Sequence, residues 1–379
     1  MLPISEPFPS HSCYKPAMAC ASQQSAEDRD HFKSACAAFF NYQVDAMTDI
    51  VRLERSLSSV SSAHTHQLRV SFHSRIEQLR SAIYGNYGFL SRCVHGNKSL
   101  FPSKTLPNGS HVIPNLMIEP KDVQSVRAAL KQCVRDWSSA GAAERQESYA
   151  QVIDEVQRNF PSPRYPNGLK VKVLTPGAGL GRLSFEIARL GYSSQGNEQS
   201  YFLLLASDFL LNKTKRTHEL TLCPYIHDLT NTHQFQDTVR TVTLPDRCPA
   251  QELTWEDDFS MVAGDFVGVY SAHPCEWDCV VTCFCIDKAA NILKYIETIW
   301  RTLKPGGIWV NFGPLRYQAG EKSTDLAINL TWEDVRYAIL ATGFQITREE
   351  MRESRYSQDP KSMMQVTYQC SFTTAVKKT

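Results

Sequence analysis

The chain has 379 residues, of which 42% are hydrophobic and 21% charged, a composition typical of a globular protein with a sizeable core. Its 40 Lys and Arg against 39 Asp and Glu leave a formal charge of +1, which predicts no general attraction to nucleic acid. No apolar run reaches the ~18 residues of a membrane helix, and the first residues lack the basic and apolar segments of a signal peptide. We therefore expect no nucleic-acid or membrane partner, and a location in the cytoplasm or also in the nucleus.

Twelve cysteines are scattered along the chain, and none forms a CxxC pair. Cys283 and Cys285, in the run CFC, lie within an apolar stretch, where a strand would point both thiols to one face. Metal sites need Cys and His at short, paired spacings, so no zinc or other metal is expected. Buried thiols in a reducing compartment are the preferred interpretation.

The first half of the chain predicts helices. Residues 1–26 are rich in Ser, Pro and Ala, which is typical of a disordered segment. From 28 to 90 the apolar residues recur at helical spacing, and after a loop rich in Pro and Gly a further helical stretch covers about 120–160. We interpret 27–160 as one helical N-terminal region.

After about residue 161 the pattern changes to short apolar runs that alternate with segments of helical length. Seven such runs predict strands: KVKVLTP, SSQGNE, FSMVAGDF, WDCVVTCFCID, GGIWVNFGP, FQITREE and QVTYQCSFTTAV. This alternation predicts an α/β protein with a doubly wound, mostly parallel sheet over 161–379. The last two runs are so close in sequence that the final strand could enter antiparallel. Residues 213–258 form a connection long enough to be an insertion or a lid.

A glycine-rich turn follows the first predicted strand, in PGAGLGRL. Gly177, Gly179 and Gly181 would let the backbone turn tightly and let a ligand approach without a Cβ in the way. Arg182 stands where the dinucleotide-binding pattern GxGxxG has its third glycine. Glu198 ends the second strand, where an acid can accept hydrogen bonds from ribose hydroxyls. Together these residues predict a nucleoside cofactor, whereas the glycines alone would also fit an ordinary turn.

Two further stretches bear on the choice of cofactor. Asp265, at the end of the third strand in AGDF, could meet an adenine amino group while Phe266 packs on the ring face, or it could simply cap a turn. LKPGG then introduces the fifth strand with a Pro-Gly-Gly turn of a kind that occurs in many folds.

On these motifs the sequence resembles the class I S-adenosylmethionine-dependent methyltransferases over about 170–379, and more narrowly the carnosine N-methyltransferase family. The matching stretches include KQCVRDWSSAGAAER, PGAGLGRLSFEIARLGYSSQGNE, IETIWRTLKPGGIWVNFGPL and SMM. The resemblance implies a Rossmann-like seven-stranded methyltransferase sheet with an N-terminal helical extension. It also implies S-adenosyl-L-methionine as cofactor and a small-molecule or dipeptide substrate, with region 27–160 covering the cofactor site. It leaves open whether the chain forms a homodimer.

The resemblance also assigns cofactor contacts. Gln132 and Arg135 lie three residues apart on one predicted helix face, and without the family they would be interpreted as solvated surface. Arg135 could pair with the methionine carboxylate through a two-point contact. Together with the turn glycines, the predicted cofactor-binding set is Gln132, Arg135, Gly177, Gly179, Gly181, Glu198, Asp265, Phe266 and Cys283.

Methyl transfer needs an uncharged nucleophile aligned with the methyl group, and an imidazole with a pKa of about 6.5 is largely neutral at pH 7. Asp287, at the carboxyl end of the fourth strand, is placed to accept one ring N–H as the catalytic residue, although it could instead cap a helix near Lys288. Tyr356 and Tyr368 match tyrosines of the family's imidazole pocket, and Gln318 stands where the family has histidine. The resemblance implies methylation of an imidazole nitrogen of carnosine or a related histidine-containing dipeptide.

Three alternatives remain open. An enzyme of the same class could methylate another small amine, imidazole or peptide metabolite. A nicotinamide-dependent oxidoreductase would use the same glycine turn, but Arg182 and the KPGG strand entry disfavour it. A binding module without activity would need damaged cofactor positions, and these positions are intact.

Overall fold

The computed structural model describes residues 26–68, 71–95, 104–105, 111–112, 118–254, 256–317 and 328–378. The predicted disordered segment 1–26 lies outside these residues, except that Ala26 begins the first helix. None of the helices in the described ranges is both long enough and apolar enough to cross a membrane.

A seven-stranded sheet forms the centre of the second half of the chain. Its strands, in chain order, are β1 Lys172–Pro176, β2 Ser193–Glu198, β3 Phe259–Ala263, β4 Trp277–Cys283, β5 Leu303–Gly313, β6 Phe344–Ser354 and β7 Tyr368–Lys377. In space the order is β6-β7-β5-β4-β1-β2-β3, with β7 antiparallel to both neighbours and the other adjacent pairs parallel. The predicted α/β class, the seven strands and the antiparallel final strand are confirmed.

Helices precede this sheet and cover it. Those before β1 are α1 Ala26–Ser58, α2 Ser62–Thr65, α3 Phe72–His95, α4 Pro120–Trp137, α5 Ala142–Glu147 and α6 Tyr149–Asn159. Those after it are α7 Arg182–Arg189, α8 Tyr201–Asn212, α9 Phe235–Thr238, α10 Pro249–Glu252, α11 Phe266–Tyr270, α12 Ile292–Thr302 and α13 Trp332–Thr342. The remaining described elements are the 3-10 turns Ser139–Gly141 and Ile286–Lys288 and two antiparallel ribbons, Lys104–Thr105 with His111–Val112 and Leu220–Leu222 with Val242–Leu244.

The predicted helical stretch 120–160 is divided in the structure. α4 begins with Pro120, which has no N–H to satisfy, and ends at Trp137, after which Ser138 is extended, with φ −128° and ψ 159°. Gly141 then brings the chain back so close to α4 that a Cβ on it would lie 2.2 Å from the Arg135 carbonyl oxygen. The Ser-Ser-Ala-Gly sequence is therefore a turn that lets α5 pack against α4.

The N-terminal helices pack on the sheet region through α8. Phe39 of α1 contacts Phe202 of α8, and Phe89 of α3 contacts Phe209, with ring centroids 6.2 Å and 5.8 Å apart. All four rings belong to one continuous cluster of buried apolar side chains. Burial of a Phe side chain contributes ~1.5–3 kcal/mol. The helical region and the sheet region are therefore held together by a shared core.

Arg182 begins α7, and only 2% of its surface is exposed. Its guanidinium donates to the Asp136 carbonyl oxygen and to the Asp246 carboxylate, both at 2.6 Å, and lies 5.0 Å from the Trp137 ring centroid. Arg145 contacts the other carboxylate oxygen of Asp246 at 2.5 Å. The residue that replaces the third glycine thus joins the turn after β1 to α4 and to the segment 213–258.

Asp246→Asn should destabilise the protein, because it leaves Arg145 and Arg182, with side chains 12% and 3% exposed, without their shared carboxylate. Removing one partner of a buried ion pair costs about 3–5 kcal/mol, which urea unfolding of both proteins measures. Asp30→Asn, at an exposed pair with Lys33, is the matched control and should leave the free energy of unfolding nearly unchanged. Equal losses in the two variants would contradict this role of Asp246.

Candidate active site

A cavity of about 560 Å³, called here the central cavity, opens at the carboxyl ends of the parallel strands, between the sheet and α4. Parallel α/β sheets bind ligands at this edge, and the volume is in the usual range for small-molecule sites. Its wall contains most of the predicted site residues: Gln132, Arg135, Gly177, Gly179, Glu198, Asp265, Phe266, Cys283 and Tyr356. Asp287 and Tyr368 are not part of this wall, and Gln318 lies outside the described residues.

The turn between β1 and α7 has no room for larger residues. Gly177 and Gly179 have φ of +65° and +58°, which residues with a Cβ rarely adopt. A Cβ on Gly177 would lie 2.5 Å from Cys285 Sγ, and one on Gly179 would lie 2.7 Å from Gln132 Nε2. The left-handed φ and these close contacts therefore both favour glycine at the two positions, and both glycines border the central cavity.

Gly181 is placed differently from the other two glycines. It precedes α7, and a Cβ on it would lie 3.1 Å from Leu211 Cδ1 and 3.3 Å from Met261 Sδ. Both neighbours are fully buried core residues. The structure therefore places Gly181 in the packing of α7 against α8 and β3, and does not bring it to the wall of the central cavity with the other predicted cofactor residues.

The segment 213–258 does not reach the central cavity. None of its described residues lies in the wall. It packs instead against the N-terminal helices, where Asn86 of α3 exchanges two hydrogen bonds of 2.8 Å with the backbone of Cys223. Whether this segment acts as an insertion or as a lid stays a prediction.

Glu198 ends β2 with its carboxylate held by three backbone N–H groups. Oε2 accepts from Gly179 at 2.8 Å, and Oε1 accepts from Gln199 at 2.9 Å and from Ser200 at 2.8 Å. A carboxylate offers about four acceptor positions, so one remains for a ligand in the central cavity. This geometry fits the predicted contact with a ribose hydroxyl.

Asp265 caps a helix and also lies where a ligand could reach it, so the predicted contact with an adenine amino group stays a prediction. Its Oδ2 accepts from the Gly268 N–H at 2.7 Å and caps α11, while the residue also borders the central cavity. The neighbouring Phe266 is buried, with its ring centroid 4.5 Å from that of Tyr295. Both rings belong to the cavity wall, so this end of the cavity offers an aromatic, apolar surface to a ligand ring.

Gln132 and Arg135 reach the central cavity from α4, one turn apart. Arg135 is 3% exposed, so the interpretation as solvated surface is wrong for it. Its guanidinium lies 4.5 Å from the Tyr149 ring centroid and 4.7 Å from that of Tyr356, and it donates to Asp136 at 2.8 Å. A guanidinium stays charged in proteins, so Arg135 supplies a fixed cation at the wall.

Cys283 ends β4 and borders the central cavity as a neutral thiol. Burial raises its pKa to about 12, because the protein interior disfavours the thiolate. It therefore contributes packing and not nucleophilic chemistry. Cys285 is also buried, with Sγ 3.1 Å from the Tyr295 hydroxyl oxygen.

Asp287 lies in the 3-10 turn that follows β4 and is 6% exposed. Its Oδ2 accepts from the Arg316 N–H at 3.0 Å, whereas its Oδ1 is buried and has no hydrogen-bond partner among the described residues. Burial raises the pKa of this carboxyl, because it loses contact with water. The next helix, α12, is capped by Asn291, which accepts from the Lys294 N–H. The alternative interpretation, in which Asp287 caps this helix, is therefore wrong.

An aromatic cluster of Phe284, Tyr356 and Tyr368 joins the predicted substrate residues to the cofactor residues. The Phe284 ring centroid lies 4.8 Å from that of Tyr356 and 6.3 Å from that of Tyr368. The Tyr356 hydroxyl donates to Gln132 Oε1 at 3.2 Å, and Arg316 Nη1 donates to the Tyr368 hydroxyl at 2.9 Å. The backbone N–H of Arg316 also donates to the Asp287 carboxylate, so Arg316 links Tyr368 to Asp287.

Several residues of the cavity wall were not predicted from the sequence, among them Tyr149, Phe284, Lys288 and Tyr295. Phe284 follows Cys283 within CFCID, and Lys288 follows Asp287. By residue type alone, Phe284 would be assigned to the core and Lys288 to the surface. Tyr149 and Tyr295 come from α6 and α12. Only the packing of these helices against the sheet brings their rings to the cavity.

Gly179→Ala should weaken binding of S-adenosylhomocysteine, the product form of the predicted cofactor, because the new Cβ would displace Gln132 or the turn itself. We expect a loss of at least about tenfold, equivalent to 1.4 kcal/mol, by isothermal titration calorimetry. Gly168→Ala is the matched control, since its φ is +85° but nothing lies within 4 Å of the added Cβ. Both variants carry the strain of a left-handed alanine, ~1–2 kcal/mol, so equal affinities would contradict this assignment.

Comparison with known proteins covers nearly the whole chain. The sequence profile of the carnosine N-methyltransferase family matches residues 114–379. The carnosine N-methyltransferase of Mus musculus is 38% identical over 358 residues, which cover 94% of this chain and 88% of the mouse protein. Those of Schizosaccharomyces pombe and Dictyostelium discoideum are 35% and 32% identical, covering 89% and 90% of this chain and 92% and 75% of their own length. The chain therefore belongs to the carnosine N-methyltransferase family.

Proposed function

We propose that this protein transfers a methyl group from S-adenosyl-L-methionine to an imidazole nitrogen of carnosine or a related histidine-containing dipeptide, converting carnosine to anserine. The observation that carries the proposal is the buried Asp287 carboxylate, whose Oδ1 has no partner among the described residues. A buried acceptor without a donor costs about 1–3 kcal/mol, and an imidazole N–H would remove that cost. Family membership supports the reaction and the substrate class.

The central cavity suits S-adenosylmethionine in volume and in the chemistry of its wall. Glu198 has an acceptor position left for a ribose hydroxyl, and Asp265 has a carboxylate oxygen for the adenine amino group. Phe266 provides an apolar ring, and the Arg135 guanidinium can hold the methionine carboxylate by charge-assisted bonds. When bound, S-adenosylmethionine supplies an electrophilic methyl group.

Asp287 sets the proton state and the orientation of the substrate ring. A neutral imidazole can donate one ring N–H to Oδ1, which fixes the tautomer and leaves the lone pair of the other nitrogen free to attack. As that nitrogen gains the methyl group, the ring becomes a cation that the carboxylate stabilises. Burial raises the pKa of Asp287, which favours its taking the ring proton and leaving a neutral methylated product.

Asp287→Asn should lower methyl transfer by about 10²–10³-fold, because a neutral amide no longer offers an anionic acceptor to the ring N–H. Binding of S-adenosylhomocysteine should stay near that of wild type, since Asp287 is not in the wall of the central cavity. Turnover by mass spectrometry and binding by calorimetry measure the two effects, with Asp30→Asn as an exposed control. Undiminished transfer, or full loss of cofactor binding, would show that Asp287 has another role.

Gln318 favours a second candidate, methylation of another small amine, imidazole or peptide metabolite. The sequence resemblance to the family implies a histidine at this position. Glutamine donates and accepts hydrogen bonds, but it does not titrate as imidazole does. The residue lies outside the described part of the chain, so the sequence alone raises this alternative.

Gln318→His restores the family residue and separates the two candidates. If carnosine is the substrate, wild-type protein methylates it, and the variant does so at an equal or higher rate because the imidazole pocket is kept or improved. Turnover is measured by mass detection on carnosine, homocarnosine, histidine and anserine with labelled S-adenosylmethionine. A wild-type protein that is inactive on carnosine and active on another compound would overturn the first candidate.

A further inference from the structure

Lys288 follows Asp287 directly in the chain and lies in the wall of the central cavity. Its side chain is exposed, and its Nζ lies 5.5 Å from the Tyr356 ring centroid. Among the described residues, no carboxylate lies within 4.0 Å of Nζ, and the side chain makes no hydrogen bond. Lys288 therefore brings a cation to the cavity that no described residue neutralises by direct contact.

The other charged groups at this end of the cavity are already bonded. Arg135 donates to Asp136 and to the Tyr149 hydroxyl. The carboxylate of Glu198 accepts from three backbone N–H groups. Lys294 is the other lysine of the wall and belongs to α12. Lys288 thus lies beside the predicted substrate residues Asp287 and Tyr356 without a direct partner among the described residues, whereas Arg316 already donates to Tyr368.

An unneutralised cation at this position would oppose the proposed reaction. The methyl donor is a sulfonium, and the methylated imidazole is a cation before it loses its proton. Like charges repel in a partly enclosed site, where water screens them less than in bulk solution. A carboxylate on the ligand removes this repulsion and forms a charge-assisted hydrogen bond with the ammonium.

We propose that Lys288 binds the carboxylate of the substrate, and that the site thereby selects imidazole ligands that carry a carboxylate on the same residue as the ring. The inference rests on the proposed function, in which Asp287 holds the ring. Asp287 and Lys288 are consecutive, with Cα atoms about 3.8 Å apart. In a histidine residue the ring and the carboxylate are separated by the Cα and Cβ atoms alone, so their spacing is comparable to that of the two backbone positions.

The cofactor also carries a carboxylate, in its methionine part, that Lys288 could bind instead of the substrate carboxylate. The two ligands of the proposed reaction carry one carboxylate each, and two cations flank the Tyr356 ring, Arg135 at 4.7 Å and Lys288 at 5.5 Å from its centroid. Arg135 has the planar, fixed guanidinium that suits a two-point contact with the cofactor. Lys288, on a flexible stem beside Asp287, is then left for the substrate.

The test compares carnosine with β-alanylhistamine, which is carnosine without its carboxylate. With wild-type protein we expect a KM for carnosine at least about tenfold lower than for β-alanylhistamine, a gap of 1.4 kcal/mol. Lys288→Met should abolish this preference by raising the KM for carnosine alone, and Lys288→Arg should retain most of it. Lys213→Met, at an exposed lysine after α8, is the matched control and should behave as wild type. The affinity for S-adenosylhomocysteine should be unchanged in all variants.

Three results would overturn the inference. If Lys288→Met weakens S-adenosylhomocysteine binding and keeps the preference for carnosine, the carboxylate that Lys288 binds belongs to the cofactor. If Lys288→Met raises the KM of both substrates equally, Lys288 does not bind the substrate carboxylate, although the proposed function stands. If wild-type protein has no activity on carnosine, the proposed function fails, and this inference fails with it.

Discussion

The close contact between α4 and the turn after β1 is the constraint on which the rest of the site depends. A Cβ on Gly179 would lie 2.7 Å from Gln132 Nε2, and Arg182 reaches from the same turn to the carbonyl oxygen of Asp136 at the end of α4. These contacts fix α4 along the carboxyl edge of the sheet. The helix in turn presents Gln132 and Arg135 to the central cavity, so a part of the chain that precedes the sheet completes the binding site.

Most polar groups in and beside the cavity are held in place before any ligand binds. Backbone N–H groups hold Glu198, and aromatic rings and Asp136 hold Arg135. Groups fixed in this way need no reorganisation when charge develops in a reaction, which is how preorganised sites stabilise transition states. Asp287 Oδ1 and Lys288 Nζ are among the groups of the substrate region that have no direct partner within the described chain. Their opposite charges define where an imidazole and a carboxylate can be bound.

The sheet was predictable because buried parallel strands leave continuous apolar runs that turn residues interrupt. All seven predicted runs are strands, but β6 continues beyond its predicted end to Ser354. This extension carries exposed charged residues at the edge of the sheet, where one face meets water, so hydrophobic periodicity does not mark it. The helical stretch 120–160, in contrast, was predicted as continuous although a turn divides it. Its Ser-Ser-Ala-Gly turn signal is present, but the regular apolar spacing on both sides obscures it.

Residues whose place follows from a local property could be identified from the amino-acid sequence. Gly177 and Gly179 adopt a backbone conformation that favours glycine, and Glu198 and Asp287 lie at or just after the ends of strands that meet at one edge of the sheet. The packing of Gly181 in the core, and the presence of Tyr149, Phe284, Lys288 and Tyr295 in the wall, became evident in the folded protein. These contacts join residues far apart in sequence. They depend on how helices pack across the sheet, and no local spacing of residues encodes that packing.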